Sequence, residues 1–465
     1  MPQFTEEVDY SNSDAPVGST LRFYRVNPQQ QNSFTVSTSQ QPLDFVLPAT
    51  APYNLSRSYI EYLLSIPAQG NGNFSFAYID KVPFDEISLF SPNGALLANV
   101  TPADVYSKVV RRACTSMVEY LGSGHSMNAA TEVTQGAYTS GLQCADLPSA
   151  ASAASTVGSY ALNSGASAGA TYSISNGGAG VHASEHISTS GDNTIQVLKY
   201  RIPLSAFKNT LFDVDKSLLY GGSCIIKVMH SPKDKFMSLG TAAANIATGA
   251  ATLGTDATIS KISLQLAQES NSLAIRHIQE RVARQGLNLI VPYVYVSRNS
   301  FSGQSCSLQY QINNSAGLSL KAQFNTAILA SDTLNTNSNT TNLPGDKVSL
   351  YNTYLDNYIS STENIEHSTT VSTWWKQQKD LYRDSPMSIM REGEISWCHT
   401  DMHTGHESCS AMAKDSGSDA GIALGSAGLV YNWNILTKSN ANHLVLSYYV
   451  CSRVLRVDAN GARFV

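Results

Sequence analysis

Apolar and polar residues alternate in short runs along most of the chain. Ile60, Tyr62, Leu64 and Ile66 alternate with Glu61 and Ser65, and Leu198, Tyr200 and Ile202 with Lys199 and Arg201. Ile262, Leu264 and Leu266 flank Ser263 and Gln265, and Cys306, Leu308, Tyr310 and Ile312 are separated by Ser307, Gln309 and Gln311. A period of two puts one side of each run on a core and the other in solvent, so these segments predict β-strands. Leu444–Val450 and Leu289–Val296 are apolar at almost every position and predict strands buried on both faces. Turn signals separate the runs: Pro92-Asn93-Gly94, Gly221-Gly222, Asn313-Asn314 and Pro344-Gly345-Asp346. Many short strands punctuated in this way predict sandwiches or barrels.

Helical spacing is rare. Thr101-Pro102 supplies an N-cap and a first-turn proline, after which Tyr106, Val109, Val110, Ala113 and Met117 share a face and Gly122 ends the segment. A second helix is predicted from about 271 to 284, with Ile275, Ile278 and Val282 on one side and Gly286 as its stop. A third is expected near 370–381, around Trp374 and Trp375.

Composition sharpens the picture. Charged residues are only 14% of 465, against an ordinary value of about 25%. The polar surface must therefore come from Ser, Thr, Asn and Gln, which suits loop-rich β structure better than charged helices. The formal net charge of −5 gives no broad attraction to phosphate backbones, so no direct nucleic-acid partner is expected. No run approaches the length of a membrane span, and the N-terminus lacks the basic and apolar regions of a secretory signal. The seven scattered cysteines are expected to be reduced thiols, and the five Asn-x-Ser/Thr sequons (Asn54, Asn73, Asn99, Asn313 and Asn339) carry little weight in so Asn- and Ser-rich a chain. Between Ser149 and Ala170, 17 of 22 residues are Ala, Ser or Gly, too few large apolar groups for a core. Residues 147–190 are accordingly expected to project outward as a surface excursion, and the similar tract 241–257 to connect two halves.

Candidate chemistry is sparse. Gly165-Ala166-Ser167-Ala168-Gly169 has the spacing of a nucleophile elbow but no apolar strand leads into it, so it reads as a compositional accident. Cys398, His399, His403, His406 and Cys409 crowd two thiols and three imidazoles into twelve residues. These are zinc-type ligands, yet the spacing fits no zinc signature, and a polar connection between strands is the preferred reading. A structural ion, or a Cys398–Cys409 disulfide, stays open. Trp374-Trp375 reads as a core or subunit contact rather than a ligand platform, and Glu392 with Glu394 as a solvated strand face rather than an acid–base pair. No catalytic set, cofactor or metal is expected, and the chain is not expected to be an enzyme.

Some longer segments carry a family resemblance. Val197-Leu198-Lys199-Tyr200-Arg201-Ile202-Pro203-Leu204 is followed by Phe207, Phe212, Ser217-Leu218-Leu219-Tyr220-Gly221-Gly222 and Ile225-Ile226-Lys227-Val228. This resembles the end of the first barrel of double jelly-roll major capsid proteins, nearest to those of polinton-like viruses and virophages. Leu43–Pro48, Tyr59–Ile66 and Phe84–Leu89 resemble the opening of that barrel. Lys347–Asp356 and Leu444–Val457 resemble strands of the second. The resemblance implies an all-β fold of two consecutive eight-stranded jelly-roll barrels with long loops and a few short helices. It implies a structural subunit that forms pseudo-hexagonal homotrimers, which tile an icosahedral shell. Expected partners are the chain itself, neighbouring capsomers, a penton protein and minor capsid proteins. Expected boundaries are an arm at 1–19, a first jelly roll at 20–235 with a long surface loop region at 123–195, a linker at 236–257 and a second jelly roll at 258–465. The expected location is the virion, the chain being made inside the host cell without a signal peptide. The alternative is a β-sandwich viral spike or adhesin that binds a host receptor or glycan.

Overall fold

The computed structural model describes residues 19–36, 39–66, 75–78, 82–107, 131–134, 159–160, 171–174, 196–232, 237–240, 258–312, 315, 317–329, 348–355, 358–366, 407–411, 422–424, 426 and 429–465. Strands dominate them, and the strand pairings are antiparallel.

Two sheets make the first half. One runs in the order Leu21–Val26, Thr258–Glu269, Tyr53–Ile66, Gln196–Pro203, with Phe34–Thr35 also paired to Thr258–Glu269. The other runs Gln41–Val46, Ile225–His230, Phe84–Phe90, Leu96–Val100. Two of the alternating runs bury their apolar positions, although Ser263 between Ile262 and Leu264 is buried as well. Ile60, Tyr62 and Leu64 are buried, as are Ile262, Leu264 and Leu266, while Glu61 and Gln265 between them keep some contact with solvent. The register puts Leu198 opposite Leu64, Tyr200 opposite Tyr62 and Ile202 opposite Ile60, so like positions share a face. After Pro203 the chain makes two short 3-10 turns, Leu204–Ala206 and Leu211–Asp213, before strand Ile225–His230 returns. Thr210 caps the second turn by accepting from the Phe212 N–H at 3.2 Å.

Strand Thr258–Glu269 pairs with strands of the first half. The sequence reading opens the second jelly roll at 258, but this strand hydrogen-bonds to Leu21–Val26 on one side and to Tyr53–Ile66 on the other. Its buried Ile262, Leu264 and Leu266 pack in the apolar core with Ile60 and Leu64 of the strand beside it. Within the expected linker, Met237–Gly240 pairs with Ser75–Tyr78. Within the expected surface loop region, Thr131–Thr134, Thr171–Ile174 and Ser159–Tyr160 form a small antiparallel sheet, a level of order that the polar, small-residue sequence does not announce.

Helix Ser272–Arg284 joins the halves. Its start and stop follow local rules: the Asn271 side chain accepts from the Leu273 N–H at 3.0 Å, and Gly286 follows the last turn. Ala274, Ile278 and Val282 form its buried stripe, with Ile275 half-buried beside them. The first expected helix begins at 103, with the Tyr106 N–H donating to the Pro102 carbonyl at 3.1 Å. Its positions beyond 107, and the expected helix near 370–381, lie outside the described residues.

The second half is organised by two long strands. Leu287–Ile312 and Leu429–Asp458 run antiparallel from Leu287 opposite Val457 to Ile312 opposite Leu429, with an irregularity between Gly303 and Ser305. Ser319–Leu329, Val348–Leu355 and Gly461–Phe464 pair with Leu429–Asp458; Tyr358–Glu366, Glu407–Ala411 and Ile422–Ala423 extend the sheet. Leu444–Val450 is buried at every position, as its sequence predicts. Leu289–Val296 is not: Ile290 is 45% and Tyr295 43% exposed. That strand is covered on one side only, so part of its apolar surface faces out.

Candidate assembly surfaces and the inter-barrel seam

The two halves share one apolar core, in which Leu43, Phe45 and Ile226 join Ile278, Leu289 and Tyr448. Their seam is built largely from turns. The Ser91–Ala95 turn closes through two bonds of 2.9 Å: the Gly94 N–H donates to the Ser91 carbonyl and the Ala95 N–H to the Ser91 hydroxyl Oγ. Gly221 and Gly222 lie between it and the C-terminal hairpin: a Cβ on Gly222 would meet Pro92 at 2.7 Å. The hairpin is held by Asp458, which accepts from Arg463 at 2.9 Å, the Asn460 N–H at 2.9 Å and Arg456 at 3.2 Å. These bonds, that from Arg463 foremost, hold the Asp458 carboxyl below its usual range. Deeper in the seam, Tyr106 meets Tyr448 edge-on with ring centroids 5.0 Å apart, and the Tyr106 hydroxyl donates to the Lys208 carbonyl.

Among the described residues, strands of both halves leave large apolar groups in solvent. Strand Leu21–Val26 is a sheet edge among the described residues, and it presents Phe23 at 59% and Tyr24 at 54% exposure between Arg22 and Arg25. Phe23 packs edge-on against Tyr59 at 5.4 Å, and the Arg201 guanidinium lies 6.0 Å from the Tyr59 ring while bonding Glu61 at 2.9 Å. Partial burial, with the Glu61 charge, raises the Tyr59 phenol above its ordinary value. On the second half, Ile290 and Tyr295 are the exposed positions already noted, and Arg453 lies 4.7 Å from the Tyr293 ring and 4.2 Å from the Phe464 ring. Open sheet edges and exposed aromatic groups are the features that subunit contacts cover.

The candidate chemical residues fall mostly elsewhere. Cys398, His399, His403 and His406 lie outside the described residues, as do Ser167, Trp374, Trp375, Glu392 and Glu394. Cys409 lies on strand Glu407–Ala411, in register with Phe324. Among the described residues no group of three His, Cys, Asp or Glu side chains could hold a metal ion. Cys224, Cys306 and Cys451 are free thiols, and burial pushes Cys224 and Cys451 up to about 12, which makes them inert core groups. Two sequons are engaged in structure: Asn54 is buried and its amide donates to Asp215 at 2.7 Å, and the Asn99 amide donates to Glu86 at 3.0 Å. No described helix is long and apolar enough to cross a membrane.

Sequence reasoning missed the seam. Pro92-Asn93-Gly94 and Gly221-Gly222 read as separate turns, and nothing in their spacing says that they meet each other and the C-terminal hairpin. The exposed positions on Leu289–Val296 were masked by their apolar character.

No protein-family model matches the sequence. No curated protein matches it. Solved structures match it over nearly its whole length. A chain of the Sputnik virophage, from its 3.5 Å cryo-EM structure, is similar with a TM-score of 0.55 at 14% identity, covering 97% of this chain and 89% of that one. The mavirus major capsid protein is similar with a TM-score of 0.53 at 8% identity, covering 97% and 92%. PBCV-1 VP54, fitted into a reconstruction of the virophage Sputnik, gives 0.53 at 7%, covering 97% of each chain. The all-β chain therefore has the double jelly-roll fold of virophage and giant-virus capsid proteins.

Proposed function

We propose that this chain is a major capsid protein, a structural rather than catalytic subunit of a virion. Three copies form a pseudo-hexagonal capsomer, and capsomers tile an icosahedral shell. The observation that carries the reading is the similarity to the mavirus major capsid protein across 97% of this chain and 92% of that one, so the likeness spans both barrels rather than a single sandwich domain. A spike or adhesin gains no comparable support. The open edge at Leu21–Val26 and the exposed Ile290 and Tyr295 suit subunit contacts, which in a closed ring join different patches of neighbouring copies. Partners are further capsomers, a penton protein and minor capsid proteins. We place the division between the jelly rolls at helix Ser272–Arg284, so that the first ends with strand Thr258–Glu269.

Native mass measurement of the purified protein tests the oligomer. Three copies of the 50.0 kDa chain predict a species of about 150 kDa. A monomer at micromolar concentration overturns the trimer.

A further inference from the structure

Strand Ile225–His230 ends on a histidine with no solvent exposure, lodged between the two sheets of the first barrel. Three rings meet it edge-on: Phe34 at 5.4 Å, Tyr62 at 5.9 Å and Phe84 at 6.0 Å. Tyr62 belongs to the sheet opposite, and Phe34 to the short strand paired with that sheet, so the imidazole bridges the gap. Its Nδ1 lies 2.8 Å from the Ser231 carbonyl oxygen, an acceptor, so Nδ1 carries the proton. The other nitrogen faces the Tyr62 hydroxyl at 3.4 Å. The carboxylate that acts on the ring is Asp85 of strand Phe84–Phe90; it accepts from Ser231 Oγ at 2.8 Å and from the Gln40 amide. Strand Gln41–Val46 places the neutral Gln41 opposite His230, and Phe34–Thr35 carries no titratable group.

We propose that His230 is an acid switch in the first barrel: a proton on its ring puts a cation between the two sheets and loosens their packing. Burial pushes the imidazole down to about 4 from 6.5, outweighing the Ser231 carbonyl and the Asp85 carboxylate, which favour the cation. Above pH 6.5 neither the folded nor the unfolded chain holds the proton, and stability is full. As pH falls from 6.5 to about 4, the unfolded chain takes up a proton that the folded chain refuses, so stability is lost; below about 4 this loss levels off. The unfolding constant rises about tenfold per pH unit in that window. Asp215 is held below its ordinary 3.8 by Arg57, so its own contribution is lost only at lower pH.

The consequence for a shell, capsomers weakened by acid, rests on the capsid reading; the switch itself is a property of the barrel. Full-length protein with 13C-labelled histidine, titrated by NMR, tests it. Contacts to the Phe34 and Phe84 rings identify the His230 signal without any variant. Its midpoint is expected below about pH 5, and a midpoint between about 6 and 7 overturns the switch. Thermal unfolding of the wild type, H230Q and H230F from neutral to about pH 4.5 supplies the second arm. Either folded variant is expected to lose less stability than the wild type over this range; parallel losses overturn the proposal. Neither arm needs a particle, so a low midpoint in a chain that forms no trimer would sink the capsid reading and leave the switch standing.

Discussion

Gly221 approaches Asp458 so closely that a Cβ on the glycine would stand 2.4 Å from the Asp458 carbonyl oxygen. Gly221 also has φ +73, where L residues are strained. One residue belongs to the first barrel's connector and the other to the C-terminal hairpin, so the contact locks the barrels together.

Gly94 is the natural control for that contact. It has φ +81, but nothing lies within 4 Å of the place its Cβ would take. G94A should cost about 1 kcal/mol, from backbone strain alone. G221A adds a clash with rigid backbone and should cost about 3 kcal/mol or more. Denaturant unfolding of both variants measures the difference; equal costs would mean that the seam yields.

Tyr448 offers an opposite sign. Its ring is buried against Tyr106, yet its hydroxyl has no hydrogen-bond partner among the described residues. Burial also raises that phenol well above its ordinary value. Y448F should be neutral or stabilising by up to about 1 kcal/mol, whereas Y448A should lose about 3–5 kcal/mol through the cavity. Calorimetry of the two variants checks both signs.

The buried carboxylate of Glu269 ties down the first strand. It accepts from Ser19 Oγ at 2.5 Å, the Thr20 N–H at 2.8 Å, the Asn271 N–H at 2.9 Å and the Ser270 N–H at 3.0 Å. E269A should therefore free the edge strand, and hydrogen exchange should show residues 21–26 losing protection while the 225–230 amides keep theirs. Uniform loss across both sheets would contradict a local clamp.

Elemental analysis of chelator-washed protein addresses the cluster of Cys398, His399, His403, His406 and Cys409. The preferred reading predicts no stoichiometric metal. One zinc per subunit, lost on H403A together with assembly, would instead make the cluster a structural centre.

Strand positions were the most legible part of the fold. A period of two is a local property, so Ile60, Tyr62 and Leu64 declare their buried face without knowledge of their partners. Helix Ser272–Arg284 was legible for the same reason: Asn271, Ile278, Val282 and Gly286 lie within one short window. Partnership was not legible. Thr258–Glu269 follows a small-residue tract and looks like a beginning, yet its partners lie far back in the chain at Leu21–Val26 and Tyr53–Ile66. Exposure was misjudged where apolar residues serve outward faces, as at Ile290 and Tyr295. The setting of His230 has no local sequence signal, because the rings around it come from three separate segments.

Cryo-electron microscopy of the purified assemblies tests the central claim most directly. The account predicts pseudo-hexagonal capsomers of three chains, each supplying two upright jelly rolls, with the Gly221–Asp458 seam inside one chain and the Leu21–Val26 edge or the Ile290 and Tyr295 face covered by a neighbour. Discrete particles that hold the double barrel as isolated monomers, with both of those faces in solvent, would contradict it.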